Sequence, residues 1–308
     1  MKKRVIIDCD PGIDDAIALM LAFASSDIDI AFLTTCFGNN TLEQTTENAL
    51  NLAYLFGSNV DIYKGAEKPL FVKPRGIPEF HGINGIGGAK LEPSPRKIKE
   101  EYAWDAIYKE ALACNGELTL ITLGPLTNVA IALYKYEDLP KYIKEIVVMG
   151  GSSSFGNELP FSEANVFSDP HAFQTVINAK IKVKMVGLNA TETTRVTFDE
   201  MREIFGVKTR ISDKLDQMLE HYLRVQNKYG EEKLVIHDAA AMAVAISPEI
   251  AESEIYPVSV ELTEGRMFGR TIVDIRLHSK AEKNVDVVRK IDFEAYKNML
   301  KQMVGFYK

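Results

Sequence analysis

The chain has 308 residues, 46% of them hydrophobic, and a formal net charge of −7. That is apolar material enough for a sizeable core, and an acidic chain without a basic stripe argues against nonspecific nucleic-acid binding. No apolar run approaches membrane-span length. The three cysteines, Cys9, Cys36 and Cys114, match no zinc spacing and suit a reducing compartment. Met1-Lys2-Lys3-Arg4 looks like the start of a signal peptide, but Asp8 interrupts the apolar run after three residues, so a cytoplasmic protein without a membrane segment is the expectation.

Val5-Ile6-Ile7 reads as a buried strand. Asp8, Asp10, Asp14 and Asp15 follow within eight positions, with Pro11-Gly12 turning between them. Ala16, Leu19, Met20 and Phe23 then form one apolar helical face. In an open α/β sheet such a strand-to-helix junction lies at the carboxyl edge, where ligands bind. A single Asp there caps a helix. Four repel one another unless a counter-charge joins them, and a hard cation with oxygen ligands, Ca²⁺ or Mg²⁺, would supply it.

Residues 30–35 read as a second strand, 41–56 as a helix capped by Asn40 or Thr41 and ended by Gly57, and 60–63 as a short strand. Residues 65–95 are rich in Pro and Gly, and so long an irregular segment points to function. A helix over 102–114, a strand over 118–123, a helix running on through Tyr134 and a strand over 145–149 follow. A second long loop spans 152–168, and Asp169-Pro170 opens a helix. Then come a strand at 182–186, an amphipathic helix at 213–229 and an Ala-rich buried helix at 238–246. Alternating stretches at 256–262 and 271–276 suggest an antiparallel extension, and a last helix covers 293–303. Strands alternating with helices predict a mostly parallel sheet with helices on both faces.

The run D-C-D-P-G-I-D-D-A at 8–16 resembles the N-terminal signature of the nucleoside hydrolases, with Cys9 where Thr is usual. Further motifs follow in that family's order: F-G-N at 37–39, H-G-I-N-G at 81–85, L-G-P-L-T-N at 123–128, G-N-E-L-P-F-S-E-A-N at 156–165 and H-D at 237–238. The resemblance covers nearly the whole chain. It implies one α/β domain over 1–308 with a Rossmann-like open sheet, and Ca²⁺-dependent hydrolysis of ribonucleosides to free base and ribose. It implies a Ca²⁺ held by Asp10, Asp15, the backbone carbonyl of Leu123 and Asp238, with Asp10 as the base that activates water. It implies a ribose pocket of Asp14, Asn39, Asn157, Glu163 and Asn165, two ribose hydroxyls on the Ca²⁺, and a homo-oligomer, dimer or tetramer.

The residues themselves bear on these roles. Asp10 and Asp15 flank a tight turn, so their carboxylates can converge, and a strand-end carbonyl such as that of Leu123 is a normal Ca²⁺ ligand. Asp238 opens a buried helix, and taken alone it reads as an N-cap. His237 beside it is placed to protonate the departing base. His81 would orient the base or shield the site. Tyr222, Gln226 and Tyr229 read either as a lid over the base or as ordinary helix-surface residues. Asp8 reads as an orienting group or as a buried strand-end carboxylate hydrogen-bonded to backbone amides. The family's E-F-N is here Glu163-Ala164-Asn165, so an aromatic beside the base is missing. Either Phe155, Phe161 or Phe167 fills the space, or the pocket takes a bulkier, modified base. Asp8-Cys9-Asp10 also matches the D-x-D of haloacid-dehalogenase-like Mg²⁺ phosphatases, but the small hydroxyl residue expected soon after is absent. A noncatalytic calcium or sugar binder has no use for an acid beside Asp238.

Overall fold

A computed structural model describes residues 2–75, 79–230 and 232–308, so Gly76-Ile77-Pro78 of the first long loop lie outside the described residues. The apolar run at the start forms β1 (Lys3–Cys9), and the helix after Pro11-Gly12 is α1 (Ile13–Ala24). β2 (Ile28–Thr35), α2 (Leu42–Leu55) and β3 (Asp61–Lys64) follow, with Thr41 Oγ1 accepting from Gln44 N at the N-cap of α2. After the long loop come α3 (Ala103–Cys114), β4 (Leu118–Thr122), α4 (Thr127–Lys135) and β5 (Ile143–Met149). The end of the second loop folds as a short helix, α5 (Ala164–Ser168). Asp169 then caps α6 (Pro170–Ile177) by accepting from Ala172 N.

β6 (Val183–Val186) leads into α7 (Leu188–Thr191), β7 (Val196–Thr197) and α8 (Phe198–Phe205). Next are α9 (Ser212–Lys228), β8 (Lys233–Leu234) and α10 (His237–Ile246). The chain ends with β9 (Ala251–Tyr256), β10 (Val258–Val260), β11 (Thr271–Val273), β12 (Val285–Ile291) and α11 (Phe293–Gly305).

The main sheet has eight strands in the order β3-β2-β1-β4-β5-β6-β12-β9. All its pairings are parallel except β9 against β12. From β1 the chain steps outward to β2 and β3, then returns to place β4 on the other side of β1. The carboxyl ends of β1 and β4 therefore form the switch point at which open α/β sheets bind ligands. The expected antiparallel extension is the β10–β11 pair. The strands β9 and β12 join the main sheet instead and were not read from sequence. β9 is a largely exposed edge, A-E-S-E-I-Y, so it lacks an apolar alternation.

One core cluster packs α1, α9, α10 and α11 on one face of the sheet; a second packs α3, α4 and α6 on the other. α10 is buried from Asp238 to Ile246, and its five alanines let it lie close against α1. Those two helices both start at the carboxyl edge, so their close packing fixes the spacing of the acids they carry. Among the described residues, no helix is long and apolar enough to cross a membrane.

Candidate active site

β1 ends in Asp8 and Asp10, α1 opens with Asp14 and Asp15, and α10 carries Asp238 in its first turn. The N-cap position of α10 belongs to Ile236, so Asp238 is not a cap. Oxygens of Asp14, Asp15 and Asp238 all lie within 4.8 Å of one another. Asp10 adjoins them. Its Oδ2 accepts from Asn39 N at 2.7 Å. Gly38 and Gly124 pack so tightly on its carboxylate that a Cβ would come within 2.0 and 2.4 Å of its oxygens. This accounts for two glycines of the F-G-N and L-G-P motifs. Asp15 Oδ2 accepts from Gly12 N at 2.8 Å and from Asn39 Nδ2 at 3.1 Å. Asp10 Oδ1, Asp14 Oδ1 and Asp15 Oδ1 are buried without a hydrogen-bond partner.

Burial dominates the electrostatics of this group, and the negative neighbours add to it. Asp10 is raised well above the usual carboxylate range by burial and then by the charge of Asp15. Burial lifts Asp14 to about 6. Asp15 is also raised to about 6, by burial and then by Asp14. Asp238 is raised well above its usual value by burial and then by Asp14. An all-oxygen donor set with orphaned oxygens and mutual repulsion fits a hard divalent cation. The carbonyl of Leu123 faces the same edge. It accepts from Asn165 Nδ2 at 2.7 Å, and its second lone pair is available.

Asp8 stands apart. Its Oδ1 accepts from Thr34 Oγ1 at 2.5 Å and from Asn128 Nδ2 at 2.7 Å, and burial raises it to about 6. It does not line the cavity above the cluster and ties β1 to β2 and α4. It is a buried strand-end carboxylate, but its partners are the side chains of Thr34 and Asn128 and not the backbone amides expected, and its Oδ2 has no partner.

A cavity of about 270 Å³ opens over the carboxylates. Asp14, Asn39, Leu123, Glu163, Asn165 and Asp238 line it, with Asn157. Glu163 is nearly fully buried and accepts three backbone N–H bonds, from Gly151, Asn165 and Val166. Asn157 Oδ1 accepts from Ala164 N at 2.9 Å. His81, Tyr222, Gln226 and His237 also line the cavity. His81 Nδ1 accepts from Ile13 N at 3.1 Å, and burial lowers the ring to about 4. The ring is therefore neutral, and its 3.8 Å approach to Asp14 is not an ion pair. His237 Nδ1 lies 2.7 Å from Thr191 Oγ1, and burial lowers this ring to about 4 as well. Tyr222 donates to Val235 O at 3.1 Å.

Tyr229, which caps the C-terminus of α9, does not line the cavity. It is exposed and stacks on Phe80, with centroids 5.6 Å apart and planes 13° from parallel. Phe80 does line the cavity, whereas Phe155, Phe161 and Phe167 do not. Phe155 and Phe161 are exposed and Phe167 meets Phe268 edge-on. Phe80, from the other long loop, and Tyr222 thus share the cavity lining with Ala164. Phe80, Arg75, Glu158, Glu192, Arg195 and Lys233 were not read from sequence as site residues. Arg75 joins the two long loops through Glu158 at 2.7 Å. Each is an isolated residue in an irregular segment or at an element end, with no spacing that would mark it.

The sequence pattern of the inosine-uridine preferring nucleoside hydrolases matches residues 5–298. The chain is 33% identical over 274 residues to the pyrimidine-specific ribonucleoside hydrolase RihB of Escherichia coli O9:H4, covering 89% of this chain and 88% of that one. Its fold superposes on a plant nucleoside hydrolase with a TM-score of 0.93 at 28% identity, over 99% of both chains. It superposes on a purine-preferring ribonucleoside hydrolase from Gardnerella vaginalis with a TM-score of 0.92 at 30% identity, again over 99% of both. A match across nearly the whole sequence leaves no room for the phosphatase or the noncatalytic binder. The chain belongs to the inosine-uridine preferring nucleoside hydrolase family and is a nucleoside N-ribohydrolase.

Proposed function

We propose that this protein hydrolyses ribonucleosides at a Ca²⁺ site built on the carboxylates between β1, α1 and α10. Asp10, Asp15, Asp238 and the Leu123 carbonyl would hold the ion, with Asp14 beside them. Bound there, Ca²⁺ would offset the carboxylate charge and act as a Lewis acid toward water and sugar hydroxyls. The observation that carries this reading is the set of orphaned carboxylate oxygens of Asp10, Asp14 and Asp15 beneath a cavity that His237 also lines.

The protein groups divide the remaining work. Asp10 Oδ1 has no partner and accepts the proton of the attacking water. Asn39 holds Asp10 and Asp15 in place. Asp14, Asn157, Glu163 and Asn165 bind the ribose hydroxyls, each of which is both donor and acceptor. Cleavage passes through an oxocarbenium-like transition state, and His237 protonates the departing base. His81, Phe80, Tyr222 and Gln226 surround the base, with Phe80 as its stacking face and Tyr229 backing that ring.

Two of the three relatives name different bases, pyrimidine and purine, so base preference is settled by assay. Reducing-sugar release from a panel of purine, pyrimidine and modified ribonucleosides identifies the substrate. Ribonucleosides are cleaved and 2′-deoxynucleosides are strongly disfavoured, because loss of the 2′-hydroxyl leaves buried polar groups unpaired. Comparable efficiency on uridine and 2′-deoxyuridine contradicts the sugar pocket.

A further inference from the structure

His237 opens α10 with its two ring nitrogens in different surroundings. Nδ1 faces Thr191 Oγ1 at 2.7 Å. Nε2 has no protein partner among the described residues and is left to the cavity that the ring lines. Thr191 ends α7, is fully buried, and its Oγ1 also lies 3.3 Å from the carbonyl of Leu188. The bond to Leu188 is the ordinary back-bond of a Thr in a helical turn. The shorter contact to His237, 46 residues away, is not. Its position is fixed from outside: Leu188 N donates to Gly151 O, and Asn189 Nδ2 donates to Val288 O.

A hydroxyl has one proton and two lone pairs. Between an imidazole nitrogen and a carbonyl, it serves the ring in both protonation states. With a proton on Nδ1, Thr191 Oγ1 accepts it and turns its own proton to Leu188 O. With Nδ1 bare, Oγ1 donates to it. Nδ1 is occupied either way, and the partner of one ring nitrogen determines what the other can do.

We propose that Thr191 is the positioning residue for leaving-group protonation, holding Nδ1 so that Nε2 is the nitrogen that serves the base. This rests on His237 being the acid. His237 is neutral in the free site and takes up a proton from solvent before cleavage. As the C–N bond breaks, its electron pair leaves with the base and the Nε2 proton of the imidazolium so formed passes to the base. The ring is left neutral with its remaining proton on Nδ1, accepted by Thr191, whose own proton stays on Leu188 O.

The test compares Thr191→Val, which keeps the shape and removes the hydroxyl, with Thr191→Ser, which keeps the hydroxyl. Both are assayed on the best ribonucleoside of the panel and on p-nitrophenyl riboside, whose leaving group departs without a proton. Thr191→Val should lower kcat on the nucleoside about tenfold or more, the usual scale for removing the partner of a functional imidazole. KM should hold, and the p-nitrophenyl riboside should be nearly unaffected. Thr191→Ser should restore the nucleoside rate to within about threefold of wild type, since the partner that scale refers to is kept. Equal losses on both substrates make Thr191 merely structural and overturn the proposal, as does an undiminished nucleoside rate in Thr191→Val. His237→Ala separates this from the acid assignment. If it loses equally on both substrates, the acid reading itself fails; if it loses only on the nucleoside while Thr191→Val loses nothing, the Thr191 proposal fails alone.

Discussion

At the residue scale, Asp10 carries the most conflict. It is fully buried, raised far above a free carboxylate, and flanked by glycines that leave its oxygens no room to move. Uncompensated buried charge costs stability, and sites of this kind keep function at that cost. Asp10→Asn preserves the shape and removes both the charge and the base. It should lower turnover about a thousandfold or more, within the range for one acid–base group, while the melting temperature of the chelated protein holds or rises. Activity within tenfold of wild type would remove Asp10 from the base role. His237→Ala should cost about a hundredfold or more on nucleosides and far less on p-nitrophenyl riboside; kcat on the two substrates checks this. These acids were legible because they crowd one turn in the sequence. That Asp14 joins Asp15 and Asp238 in the tightest group was not, since it depends on how α10 lies against α1.

At the scale of elements, the site is assembled from regular structure below and loops above. The carboxylates sit on β1, α1 and α10, whose apolar patterns are plain in the sequence; β1 and α10 appear within two residues of their expected bounds, and the apolar face expected at 16–23 lies within α1. The base side draws on the two long loops, where nothing periodic marks a residue. Phe80 is the clearest instance. Ala164 showed that an aromatic was missing, but only the folded chain shows a ring arriving from a different loop. The edge strand β9 escaped for a related reason: it is polar along most of its length. Phe80→Ala should raise KM for nucleosides by a factor of about five to ten, the scale of one aromatic pair, with kcat little changed. Ala164→Phe should crowd the same space and impair bulky modified bases most. An unchanged KM in Phe80→Ala would mean that the base stacks elsewhere.

At the scale of the whole molecule, the carboxylate cluster links cation binding to folding. Asp14 and Asp15 sit at about 6 in the fold, against roughly 3.9 for an exposed Asp. The folded chain therefore binds more protons than the unfolded one in that window. The cation-free protein loses stability as pH rises through it and stays penalised above it. A bound cation offsets that penalty. Calcium at a hundredfold excess over its Kd should stabilise the fold by about 2.7 kcal/mol, roughly 4 °C in Tm for a chain of this size. The gain should be larger near about pH 7.5 than near about pH 5, where protons compete for the same oxygens. Thermal melts with and without Ca²⁺ at the two pH values check the sign. A gain independent of pH would place the ion elsewhere.

In the proposed reaction the buried carboxylates work through a divalent cation to cleave ribonucleosides. The most direct measurement is ribose release from uridine and inosine by protein that has been chelated, dialysed and assayed before and after Ca²⁺ is restored, with the metal content determined at each step. The active protein should hold about one ion per chain, lose activity with the ion, and regain it with Ca²⁺ on at least one of the two nucleosides. Full ribose release by protein shown to hold no divalent metal would contradict the metal-dependent reaction.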